Sequence, residues 1–107
     1  MKVLMVCLGN ICRSPLAEGI LRQKIEEKEI VNVFVDSCGT SDYHIGQTPD
    51  RRTQANALKH GTDLSRLRGR QFTISDFDSF DKIFVMDSSN KENVLALARN
   101  IADEQKV

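Results

Sequence analysis

The start of the chain constrains its fold more than any other stretch. Val3 to Cys7 is an unbroken apolar run, Gly9-Asn10 interrupts it, and Ser14-Pro15 follows a few residues later. A short continuous apolar run fits a strand buried on both faces of a parallel sheet. Ser14-Pro15 reads as a helix start, with Ser at the N-cap and Pro at the first helical position. Leu16, Ala17, Ile20, Leu21, Lys24 and Ile25 then form a mostly apolar stripe at helical spacing.

Two later segments repeat the strand pattern, Val33 to Asp36 and Lys82 to Asp87. Between them Thr48-Pro49-Asp50 opens a polar helix that Gly61 ends, and a helical turn is expected after Thr73. After the third strand, Ser89 and Glu92 have the spacing of a capping box, and Val94, Leu97, Ala98 and Ile101 fall at i, i+3, i+4 and i+7 of a last helix. The order β-α-β-α-β-α implies a three-layer α/β fold, a parallel sheet with right-handed crossovers and helices on its faces. With 107 residues and no repeat or linker, one domain over 1–107 is expected. Ligands in such folds bind beyond the carboxyl ends of the strands, here after Cys7, Asp36 and Asp87.

Composition narrows the function classes. Fifteen Lys plus Arg balance fifteen Asp plus Glu, so nothing drives the chain toward nucleic acid or anionic lipid. Two His and three Cys without a CxxC pair suit neither a zinc site nor a disulfide framework, so no metal or cofactor is expected. The longest apolar run is far short of the roughly 20 residues of a membrane span, and the N-terminus lacks the pattern of a secretion signal. The expectation is a cytoplasmic protein without nucleic-acid or membrane partners. A free cysteine in a reducing compartment is usually buried and inert, and Cys38 is read that way.

Cys7 and Cys12 lie elsewhere, in the segment Cys7-Leu8-Gly9-Asn10-Ile11-Cys12-Arg13-Ser14 between strand and helix. A helix N-terminus offers unpaired N–H groups and partial positive charge, and a curled loop before it converges several N–H groups on one anion. Gly9 and Asn10 are residue types that tolerate the left-handed conformations of such a curl. Arg13 adds a planar fork for two phosphate oxygens. Cations and a helix N-terminus favour thiolate over thiol, which makes a cysteine at the base of this cradle a nucleophile aimed at phosphorus. Ser14 is placed to donate to that sulfur and stabilise it as a leaving group. The Walker A pattern and G-x-G-x-x-G are both absent.

The stretch CLGNICRSP, Cys7 to Pro15, strongly resembles the low-molecular-weight protein-tyrosine-phosphatase family. The likeness continues through Asp36-Ser37, Tyr43-His44-Ile45-Gly46 with Pro49-Asp50, Arg70-Gln71, and Phe80-Asp81 leading into Met86 to Asn90. The resemblance implies that Cys7 forms a phosphocysteine and that Arg13 clamps the phosphoryl group. It implies that the N–H groups of Leu8, Gly9, Asn10, Ile11, Cys12 and Arg13 cradle the oxygens, and that Asn10, Ser14 and Ser37 hold the loop in shape. It further implies that Cys12 can form a reversible disulfide with Cys7 and that Tyr43 walls the pocket against the substrate ring. The expected substrate is a phosphotyrosine protein or a small aryl phosphate.

Two departures stand out. Arg66 occupies a position where members usually carry a His of the loop network. The family's general acid, an Asp followed by Pro and an aromatic, has no counterpart, because Pro15 and Pro49 follow Ser14 and Thr48. The chain thus looks like a member lacking the last third, with a fourth strand and closing helix absent and an exposed sheet edge that favours self-association. Asp87, at a strand end on the active-site side, reads as a turn-fixing residue rather than a substitute acid. Two alternatives are an arsenate reductase on the same scaffold, which the lack of any Cys after Cys38 to relay reducing equivalents counts against, and a catalytically impaired phosphate- or phosphopeptide-binding relative.

Overall fold

The structure, a computed structural model, describes residues 1–107. Strand β1 (Lys2–Cys7) leads into helix α1 (Arg13–Glu27) and β2 (Phe34–Gly39). Helices α2 (Arg51–Lys59) and α3 (Asp76–Ser79) precede β3 (Lys82–Val85), and α4 (Ser88–Leu95) and α5 (Ile101–Lys106) follow it. The strands are parallel in the order β2-β1-β3, with Cys7 opposite Gly39 and Val6 opposite Val85. The most apolar strand is therefore central, and the three strand ends open on the same side.

Strand alternation assigns the layers. Leu4, Val6, Cys38 and Ile83 share one buried core with Phe72, Phe77 and Val94, which places α3 and α4 on that face. Phe72 and Phe77 meet edge to face at 5.2 Å. The other face, bearing Val3, Val35 and Ser37, is covered by α1. This is the expected three-layer α/β arrangement.

Helix α1 differs from its apolar stripe. Its buried residues are Ser14, Pro15, Glu18 and Gly19, whereas Leu16, Leu21 and Ile25 are half-buried and Ile20 is exposed. Close approach explains the choice. A Cβ on Gly19 would come within 2.3 Å of the Leu64 side chain, so glycine lets this helix settle there without moving Leu64. Ser14 is not the N-cap either. Cys12 occupies that position, and the Ser14 hydroxyl turns inward to Cys7 instead of capping.

Three boundaries also move. Strand β2 begins at Phe34 and runs on to Gly39, because Ser37-Cys38-Gly39 stays in register with β1 up to Cys7. Gly39 passes under the Cys7 loop so tightly that a Cβ would meet the Leu8 carbonyl at 2.5 Å. Strand β3 stops at Val85, although the Met86 N–H still donates to the Val6 carbonyl at 3.0 Å. Asp87, not Ser89, caps α4, accepting from the Asn90 N–H at 2.8 Å. The single last helix is in fact two, since Asn100 caps a new start by accepting from the Asp103 N–H at 2.9 Å. Val94 is buried and Ala98 half-buried, but Leu97 and Ile101 face solvent. No helix is long and apolar enough to cross a membrane.

Candidate active site

The loop between β1 and α1 closes on the Cys7 sulfur, which is nearly inaccessible at 3% exposure. The Asn10 N–H donates to Sγ at 3.3 Å, and the Ser14 hydroxyl lies 3.0 Å from it. Asn10 has φ 58°, and it alone in the loop takes the left-handed turn for which both Gly9 and Asn10 were candidates.

Carbonyls on this loop are tied outward. The Thr40 N–H donates to the Cys7 carbonyl at 2.9 Å, Ser41 to Leu8 at 3.0 Å and Asp50 to Ile11 at 2.7 Å. Pinning the carbonyls outward leaves the N–H groups facing in. Those of Leu8, Gly9, Ile11, Cys12 and Arg13 have no acceptor within the protein, although Gly9, Ile11 and Cys12 are half-buried and such backbone donors are usually paired. An open pocket of about 270 Å³ lies over them, lined by Cys7, Cys12, Arg13, Tyr43 and His44 among others. Unpaired N–H groups at a helix N-terminus, a guanidinium and a sulfur at the floor make a site for an oxyanion.

Arg13 is half-exposed, and its Nη1 donates to Asp87 Oδ2 at 2.8 Å. This contact leaves the other nitrogens of the fork unengaged. It also holds the Asp87 carboxyl below the usual carboxylate range, helped by the Asn90 N–H. Asp87 thus fixes the turn into α4, and a carboxyl kept ionised in this way accepts protons poorly.

Behind the loop, Asn10 is the hub. Its Nδ2 donates to Ser14 Oγ at 2.8 Å and Ser37 Oγ at 3.0 Å, while its Oδ1 accepts the Arg70 N–H at 3.0 Å. Arg66 is exposed and takes no part, so a backbone N–H meets Asn10 in this chain. The Arg70 side chain bridges Asp36 at 3.1 Å and Asp76 at 3.0 Å, tying the middle of β2 to the start of α3. Cys38 lies under this layer, and burial pushes its thiol well up, as suits an inert core cysteine.

Tyr43 is 70% exposed and borders the pocket through its place on the loop after β2. Beside it, the His44 Nδ1 lies 2.9 Å from Gln47 Oε1. Sequence reasoning passed over His44 as a pocket residue and Glu18 as a buried acid. Only the four-residue spacing of Ser14 and Glu18, which puts both on one helix face, carried a trace of the latter.

A parallel α/β sheet whose central strand ends in a cysteine-floored loop at a helix N-terminus is the class of fold and site this structure defines. Residues 2–107 match the family described as low molecular weight phosphotyrosine protein phosphatase, and the chain belongs to that family. Among curated relatives it is 48% identical to the low molecular weight phosphotyrosine protein phosphatase of Dictyostelium discoideum, over 87% of this chain and 59% of that protein. It is 49% identical to the human protein of that name, over 82% of this chain and 56% of the relative. A crystal structure of a protein tyrosine phosphatase from Entamoeba histolytica superposes with a TM-score of 0.93 at 38% identity, covering 99% of this chain and 67% of that one. The chain thus spans somewhat less than two thirds of the length of these curated relatives.

Proposed function

We propose that residues 1–107 act as one phosphatase unit that hydrolyses phosphotyrosine and related aryl phosphomonoesters through a phosphocysteine. The observation that carries this reading is the set of unpaired N–H groups of Leu8, Gly9, Ile11, Cys12 and Arg13 beside the Cys7 sulfur. The Cys7 thiolate attacks phosphorus, the S–P bond forms, and the P–O bond to the aryl group breaks. Water then attacks the phosphocysteine, phosphate leaves, and the thiolate is restored. Charge on the phosphoryl oxygens is stabilised by the cradle and by the free nitrogens of Arg13, which supply most of the acceleration. Ser14 steadies the sulfur as it departs. Tyr43 offers a ring against which a phenol can stack.

Within residues 1–107 alone, the departing aryl oxide takes its proton from solvent. Residues 1–107 contain no Asp-Pro pair, and Asp87 is occupied with Arg13. Three unpaired cysteines and balanced charge support a cytoplasmic setting and protein substrates in preference to nucleic acid. Cys12 lines the same pocket as Cys7. We read it as a resolving thiol. Peroxide converts the Cys7 thiolate to a sulfenic acid, and Cys12 displaces hydroxide to give a disulfide that an external thiol reduces.

Steady-state hydrolysis of phenyl phosphates of graded leaving-group acidity tests the reading. Turnover is expected to fall steeply as the phenol becomes less acidic. An absence of turnover on nitrophenyl phosphate, with phosphate still bound, would instead establish a binding relative.

A further inference from the structure

We propose that Glu18 is a positioning residue that fixes the direction of the hydrogen-bond chain aiming the Ser14 hydroxyl at Cys7, an inference that rests on Cys7 being the nucleophile. Glu18 is 2% exposed and lies on the face of α1 that covers the sheet. The Ser37 hydroxyl donates to its Oε1 at 2.6 Å, and Arg22 donates to its Oε2 at 2.6 Å. From Ser37 the contacts run through Asn10 to Ser14 and on to Cys7 without a gap.

Donor and acceptor counting gives this chain one sense. An amide nitrogen only donates, so Asn10 Nδ2 makes acceptors of both hydroxyls, and each hydroxyl must send its own proton elsewhere. A carboxylate only accepts, so Glu18 takes the Ser37 proton. The Ser14 proton is left with two acceptors, Cys7 Sγ at 3.0 Å and the Cys38 carbonyl at 3.3 Å. Reversal would require Asn10 to flip, and two groups oppose it from opposite ends. One is the Arg70 N–H on Oδ1, and the other is Glu18 acting through Ser37. Without the acceptor at Glu18, the Ser37 hydroxyl has no fixed sense and one of the two restraints on Asn10 is gone.

The surroundings are chosen for an acid held in place. Arg22 is half-exposed and also donates to the Val35 carbonyl at 3.0 Å, so it stays beside Glu18 whatever happens to the carboxylate. Burial pushes the Glu18 carboxyl up, while Ser37 and Arg22 oppose that shift. Charged and titratable groups facing the chain are Arg22 from α1 and Asp36 from β2 at the Glu18 end, with Arg13, Cys12 and Cys38 around Cys7.

The test is the pH dependence of Cys7 alkylation by iodoacetamide, read on the Cys7 peptide by mass spectrometry, alongside nitrophenyl phosphate turnover. Glu18→Met keeps the size and removes the acceptor. Its alkylation midpoint is expected to move to higher pH, with kcat lowered about ten-fold and KM little changed. Glu18→Gln retains an oxygen for Ser37 and is expected to alkylate and turn over within about two-fold of the parent. Where Glu18→Met does not fold, Glu18→Asp decides, because it keeps the charge for Arg22 and withdraws the oxygen from Ser37. An upward midpoint in whichever variant folds supports the proposal. An alkylation profile that overlays the parent in that variant overturns it. Alkylation needs no substrate, so a parent without turnover would sink the phosphatase reading and still leave Glu18 decided.

Discussion

The Cys7 sulfur receives the Asn10 N–H, faces the Ser14 hydroxyl, and sits under donors that do not depend on it. Cys7→Ser should therefore lose turnover of aryl phosphates while inorganic phosphate still binds, as calorimetry would show. Retained turnover would remove the nucleophile from the account. Arg13 depends on a neighbour instead. Asp87→Asn keeps the shape but gives up the charge that holds Nη1, and kcat/KM should fall about ten-fold as the fork loses its aim. The Arg13 contact keeps the Asp87 carboxyl below the ordinary ~3.9, so it remains ionised throughout the range from about pH 5 to 8. A wild-type rate profile over that window should show no limb that Asp87→Asn removes. Oxidation gives a third residue-level outcome. After mild peroxide and then a thiol reductant, the parent should recover activity and Cys12→Ser should not, because its Cys7 goes on to irreversible acids.

Among the elements, α1 carries the clearest structural prediction. Gly19→Ala drives a methyl into Leu64, and stability should fall by about 1–3 kcal/mol in chemical denaturation, a typical cost of overpacking. Phe77→Ala, which empties a fully buried site against Phe72, should cost about 3–5 kcal/mol. The same helix shows what a sequence can and cannot reveal. The apolar runs of β1 and β3 and the interruption at Gly9-Asn10 were legible, β1 because burial on both faces leaves no polar alternation and β3 because its apolar residues run on even where Phe84 faces solvent. The cradle was legible too, since its residue types and its place between strand and helix can be read locally. The inward face of α1 was hidden. Periodicity looks for large apolar residues, whereas this helix buries Ser14, Glu18 and Gly19, matched to Cys7, Ser37 and Leu64. The break at Asn100 was missed for a related reason. Apolar spacing ran on across it, and the competing capping and the Arg99 ties to Asp78 and Asp103 are visible only in three dimensions.

At the scale of the whole molecule, β2 and β3 are both edge strands, and each exposes a phenylalanine, Phe34 and Phe84. An unpaired strand edge is a template for pairing with a second chain. A polypeptide of residues 1–107 alone should therefore sediment with mass rising with concentration, and Phe84→Lys should reduce it; a strictly monomeric 1–107 polypeptide at high concentration would contradict this. Everything else in the account depends on a covalent step at one sulfur. The direct measurement is a rapid acid quench of the protein mixed with excess nitrophenyl phosphate, followed by mass spectrometry of the peptide that contains Cys7. The account predicts a phosphoryl adduct on Cys7 that appears with the first burst of nitrophenol, decays as substrate runs out, and is absent in Cys7→Ser. Steady turnover with no adduct on that peptide at any quench time would contradict it.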